Sequence, residues 1–175
     1  MDKKKIRNFQ IFSAIFTFVL GTILHFLYKW TGENHIVALF SSLNESVWEH
    51  LKLAYFPMML TILIGYFYLG HNSCNFLCSK TIGILVAMVA IVTFFYTYTG
   101  VLGKNIPVID ISSFYISTLI GEFIAYLLMI NKYKCNNLIA SIILIIIFIS
   151  FIIFTYNTPN LGIFKDPITG QYGIM

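Results

Sequence analysis

The sequence predicts an all-α fold. It reads as a polytopic membrane bundle of five transmembrane helices, N-terminus inside and C-terminus outside, with a short extracytoplasmic tail that is turn-rich or a hairpin. Three observations predict it. Only 10% of the 175 residues are charged, against about 25% in a soluble domain, while 58% are hydrophobic and the mean hydropathy is +0.83. The few charges are also segregated: residues 8–28, 53–79, 81–103 and 135–164 contain no Asp, Glu, Lys or Arg. Finally, such runs suit a hydrocarbon core about 30 Å thick, which takes roughly 20 helical residues to cross. A soluble core, a disordered chain and a nucleic-acid-binding module are excluded, the last because a net charge of +4 spread over so apolar a chain forms no phosphate-binding stripe. The chain contains no Gly-rich phosphate loop, Gly-x-Ser-x-Gly elbow or dinucleotide fingerprint, so neither nucleotide nor nucleic acid is expected as a partner.

Taken in order, the expected spans are 8–29, 51–70, 81–103, 109–131 and 137–156, in one integral membrane domain covering 1–175. The first follows Lys3, Lys4, Lys5 and Arg7 as a signal peptide would. Its apolar stretch is too long, however, and no small-x-small site precedes Lys29-Trp30-Thr31, so it reads as a retained anchor. An outer segment, 31–50, precedes the second span, and an outer tail, 157–175, follows the fifth. Orientation comes from the basic residues. With the N-terminus inside, Lys3, Lys4, Lys5, Arg7, Lys80, Lys132 and Lys134 lie inside, and Lys29, Lys52, Lys104 and Lys165 outside. Five of the seven acids then fall outside: Glu33, Glu45, Glu49, Asp110 and Asp166. Cys74, Cys78 and Cys135 fall on inner connections, where thiols stay reduced and no structural disulfide is expected. His71-Asn72-Ser73-Cys74 with Cys78 offers one imidazole and two thiols, which reads as loop thiols without a metal.

Polar residues inside the spans mark the faces turned away from lipid. Span one carries Ser13, Thr17, Gly21, His25 and Lys29 at every fourth position, a continuous seam on one helix face. Span four carries Ser113, Ser117, Gly121 and Ala125 at the same spacing, a small-residue surface suited to close helix packing. Beside it lie Tyr115, Thr118, Glu122 and Tyr126. Glu122 is twelve residues beyond Asp110, about 18 Å along the helix and so near the bilayer midplane. Proton coupling or cation binding is one reading of this acid; a neutral carboxyl bonded to neighbouring hydroxyls as interhelical glue is the other.

The densest polar constellation is Asn44-Glu45-Ser46-Val47-Trp48-Glu49-His50-Leu51-Lys52. Ser42 with Glu45 reads as a capping box that starts a helix running into span two through Pro57. In that helix Glu45, Glu49 and Lys52 share one face, and Ser46 and His50 another. A metal reading takes His25, Glu45, Glu49 and His50, since imidazole and carboxylate suit a divalent zinc, iron or manganese ion. Its competitor is a solvated first turn whose acids favour the positive helix N-terminus, with Trp48 as an interfacial anchor. In the tail, Asp166-Pro167-Ile168-Thr169-Gly170 favours a turn, with Ile163-Phe164 and Tyr172/Ile174 as hairpin arms. Asp166 serves either as turn initiator or, with Tyr172, as part of a lid over the outer mouth.

The motif Asn44-Glu45-Ser46-Val47-Trp48-Glu49-His50-Leu51-Lys52, the C-terminal Asp166-Pro167-x-Thr169-Gly170-x-Tyr172-Gly173 and the supporting Leu24-His25-Phe26-Leu27-Tyr28 resemble a family of small uncharacterised bacterial multi-pass membrane proteins. The resemblance implies the same architecture in a bacterial cell membrane, with paired outer-face motifs, and no reaction. Three functions are open. The first, preferred, is binding or transport of a small solute or ion through an outer pocket with His25, Lys29, Asn44, Glu45, Glu49, His50, Asp166 and Tyr172 as ligands. The second is an outer-leaflet metal-dependent hydrolase on His25, Glu45, Glu49 and His50. The third is an accessory subunit without ligand, in a homo-oligomer or with a membrane partner.

Overall fold

A computed structural model describes residues 2–69 and 75–174, and the His71-Asn72-Ser73-Cys74 stretch lies outside the described residues. Five long helices, each long and apolar enough to cross a membrane, form the molecule: α1 (Lys3–Trp30), α3 (Val47–Leu69), α4 (Phe76–Leu102), α5 (Pro107–Ile130) and α6 (Asn137–Tyr156). Among the described residues, a single-turn helix, α2 (His35–Ala38), and a 3-10 turn (Gly162–Phe164) complete the regular elements. Helix ends follow local chemistry. The Asp2 carboxylate accepts from the Lys4 amide and the Asn136 side chain from the Leu138 amide, capping α1 and α6. Pro107 opens α5, where a missing N–H costs nothing. Gly103 takes φ +68° and closes α4.

Helices α1, α3, α4 and α5 pack in a ring, each against its neighbours, and α6 lies outside it against α4 and the side chains of α3. The exterior is apolar where a soluble protein's would be polar, and the largely apolar core also holds polar side chains. Outside, Ile11, Ile15, Val19 and Ile23 form an exposed stripe along α1, and Ile142, Ile145, Ile149 and Ile153 another along α6. Inside lie Gln10, Ser13, Thr17, Thr61, Thr118 and Glu122. Both are compatible with lipid as the solvent, in which polar groups must satisfy one another within the bundle. The stripe on α5 does what its small residues suggest: a Cβ on Gly121 would stand 2.4 Å from the Gly83 carbonyl oxygen and 2.8 Å from Ala87 Cβ. The α4–α5 approach therefore exists only because both positions are glycine.

Pro57 sits within α3 and cannot return an N–H to the Leu53 carbonyl. That carbonyl faces α1, where a Cβ on Gly21 would come within 2.8 Å of it. One glycine thus seats the acceptor that one proline released.

Several expectations are corrected. Helix α3 starts at Val47, with the Glu49 amide on Ser46 Oγ at 3.4 Å. The N-cap is therefore Ser46 and not Ser42, whose hydroxyl instead donates to the Asn44 carbonyl. Lys80 lies in no connection: helix α4 begins earlier than expected and carries it, fully buried, into the bundle. Lys52 is likewise fully buried. The tail forms no hairpin arms, only a single bridge between Lys165 and Tyr172 beside the 3-10 turn. Cys78 and Cys135, expected as separate thiols, meet as a disulfide pair with Cα atoms 6.4 Å apart, within bridging range. The start of α4 and the α5–α6 connection share one end of the bundle, as the sequence placed them, but the two residues are bonded where reduced thiols were expected.

Candidate functional site

The polar constellation before α3 folds as a compact knot. The Asn44 side chain accepts from the Ser46 amide, and the Leu43 amide donates to Glu49 Oε2 at 3.0 Å. This winding sends Glu45 inward and Glu49 away from it. Glu45 Oε1 stands 3.8 Å from His25 Nε2, and Glu45 Oε2 stands 3.5 Å from His50 Nε2. The two imidazole centroids are 5.4 Å apart, and one ligand atom from each of the three residues lies within 4.8 Å of the others. His50 Nδ1 lies 2.9 Å from the Ser46 carbonyl oxygen. A carbonyl only accepts, so Nδ1 carries a proton, and Nε2 is the ring nitrogen turned toward Glu45. That is the second-shell arrangement which orients a metal-ligating imidazole. The three side chains are each about one-quarter to one-third exposed, so the cluster is open on one side.

It opens on a cavity of about 210 Å³ within the ring, walled by all four helices: Gly21 and His25 from α1, His50 and Leu53 from α3, Phe95 from α4, Phe114 from α5. Ile168 of the tail reaches the same cavity. Asp110 borders it on the far wall, where its carboxylate is hydrogen-bonded to the Tyr98 hydroxyl. The lining is mainly apolar, with the His25–Glu45–His50 cluster at one rim and Thr22, Asn105, Asp110, Ser113 and Tyr115 as its other polar residues.

The remaining candidates are placed elsewhere. Glu49 is buried with Lys52, whose ammonium donates to Glu49 Oε2 at 2.8 Å, to the Ala38 carbonyl at 3.0 Å and to Thr155 Oγ1 at 2.8 Å. Its place in the metal set is corrected: adjacent residues on a helix point about 100° apart, and Glu49 follows Lys52 into a clamp joining α2, α3 and α6. Asn44 Nδ2 donates to the Gly173 carbonyl and so holds the tail. Asp166 is buried as a turn initiator, its Oδ1 accepting from the Ile168 and Thr169 amides. Tyr172 forms the bridge with Lys165, and Lys29 is exposed. Of the tail, the exposed Ile168 lines the pocket, and neither Asp166 nor Tyr172 does.

Glu122 has a partner that the sequence had assigned to a connection. Lys80 Nζ lies 2.7 Å from both carboxylate oxygens and 2.8 Å from Ser13 Oγ, which in turn donates to Glu122 Oε1 at 2.6 Å and lies 2.9 Å from Thr61 Oγ1. Every helix of the ring contributes one residue. A signal was available: Lys80, near the start of α4, needs only a few more helical residues before it to lie within the bundle. The family model DUF6512, a family of unknown function, matches residues 1–174, and the chain belongs to that family. No curated protein and no solved structure matches it.

Proposed function

We propose that this member of a family of unknown function binds a divalent transition-metal ion through His25, Glu45 and His50, at the extracytoplasmic mouth of its pocket. The observation that carries this reading is the convergence of those three ligand atoms within 4.8 Å. A tetrahedral ion with bonds of about 2.0–2.2 Å sets its ligands roughly 3.3–3.6 Å apart. The Glu45 oxygens are already 3.8 and 3.5 Å from the two Nε2 atoms. Two imidazoles and one carboxylate suit zinc, manganese, iron or nickel. The extracytoplasmic assignment rests on basic residues. With Lys52 and Lys80 buried, Lys3, Lys4, Lys5, Arg7, Lys132 and Lys134 face Lys29, Lys104 and Lys165 across the bundle, which favours an inner N-terminus.

The test is stoichiometry. Purified protein, loaded with zinc and dialysed, retains one ion per chain; His25→Ala, Glu45→Gln and His50→Ala each lose it, and His35→Ala, an exposed histidine, keeps it. Retention falls on acidification, because an imidazole must be unprotonated to ligate. Zinc bound equally by the His25→Ala/His50→Ala double variant overturns the reading. A second reading, a metal-dependent hydrolase, is favoured by the ligand count: three protein ligands leave a fourth position, facing the cavity, for water.

A further inference from the structure

The cavity has two boundaries of different kinds. Toward the end that carries the tail, it is bordered by Ile168, held there by the Asp166 turn and by the Asn44 to Gly173 hydrogen bond. On its α1–α5 side its walls are also the outside of the bundle: Phe26 on α1 is 43% exposed and Ile111 on α5 is 56% exposed, yet both line it. Deeper in, α1 and α5 close on each other through the Thr22 and Tyr115 hydroxyls, 3.1 Å apart, and the Phe18–Tyr115 ring contact at 4.7 Å. From Pro107, where α5 starts, to Tyr115 is eight residues, about 12 Å along the helix. The cavity is therefore a mainly apolar slot, bordered sideways by exposed apolar residues of α1 and α5, with His25, Glu45 and His50 at one end and Thr22, Asn105, Asp110, Ser113 and Tyr115 as its other polar residues.

We propose that this slot receives the acyl chain of a membrane amphiphile, which passes between α1 and α5 while its anionic oxygen head ligates the metal. The inference rests on the metal reading and specifies its ligand class. A divalent ion with a single carboxylate ligand carries one residual positive charge, so a carboxylate or phosphate oxygen neutralises the site. An apolar wall shared with the bundle's exterior lets the chain stay in hydrocarbon throughout, and a compact polar solute would leave that wall uncovered.

Full-length protein in detergent, with and without zinc, is mixed with a fatty acid carrying a diazirine in its chain and, separately, with a phospholipid so labelled. After irradiation the adducts are mapped by peptide mass spectrometry. Adducts concentrated on Phe26, Ile111 or Phe114 and dependent on zinc support the proposal, and the probe that gives them identifies the source as free acid or phospholipid. Ile111→Trp, a substitution at an exposed position that fills the slot's side, lowers them roughly tenfold while zinc binding is unchanged. Zinc bound at one ion per chain with adducts spread evenly over Ile11, Ile15 and Ile23 overturns the proposal and leaves the metal reading standing. Slot adducts without any zinc binding overturn the metal reading and, with it, the assignment of the head group.

Discussion

Replacing Lys80 by methionine removes the cationic partner of Glu122 while nearly preserving side-chain length. In the native protein the ammonium lies 2.7 Å from both carboxylate oxygens, and the side chains are 0% and 4% exposed. At an effective dielectric of 20, two unit charges at that distance attract by about 6 kcal/mol. Part of this offsets the cost of keeping both charges out of water, so the loss on breaking the pair is expected to be about 3–5 kcal/mol. The Lys80→Met/Glu122→Leu double variant buries no charge. Its Ser13 hydroxyl retains Thr61 Oγ1 at 2.9 Å, and replacing a whole buried pair by apolar groups is often neutral or stabilising. Stability is read from equilibrium unfolding in mixed micelles. Lys80→Met should fall far below the double variant, giving a coupling energy of several kcal/mol in the double-mutant cycle. Single losses below about 1 kcal/mol that simply add would refute the reasoning, placing the pair in the exposed class whose worth is small.

Two glycine substitutions in the α4–α5 region should act in opposite directions. Gly121→Ala places a Cβ 2.4 Å from a backbone oxygen and should cost about 1–3 kcal/mol in the same unfolding assay. Gly100→Ala meets nothing within 4 Å and should stabilise by about 0.5–1 kcal/mol. Asn44→Ala removes hydrogen bonds to the Ser46 amide and the Gly173 carbonyl; it should cost about 1–3 kcal/mol and speed amide exchange at residues 170–174. Cys78 and Cys135 should resist alkylation in unfolded, unreduced protein and react after reduction, and equal labelling in both states would show that they are not joined.

The class of fold was legible because charge scarcity and long apolar runs are one-dimensional quantities. Span five, 137–156, coincides with α6, bounded by Asn136 and by Asn157. Span three was read five residues short, since Lys80 looked like a boundary; a charge ends a span only when it has no partner inside, and Glu122 is 42 positions away. The same limit governed the site. His25, Glu45 and His50 were legible as candidates from residue type and from their shared end of the bundle. Glu49 was equally eligible by chemistry, and only the winding of residues 42–46 directs it to Lys52 and Glu45 to the imidazoles. Asp166 looked like a ligand or a turn initiator; the Ile168 and Thr169 amides occupy it as the latter. The sequence by itself determined that the chain is a five-helix bundle with an apolar exterior and which end holds most of its histidines and acids, because solvent preference acts on each residue separately. Which of those residues meet was decided only by tertiary structure, because a distance of 3.5 Å between His50 and Glu45, or 2.7 Å between Lys80 and Glu122, depends on helix rotation and approach. Those are set by packing at glycines such as Gly21, Gly83 and Gly121, not by any property of the charged residues themselves.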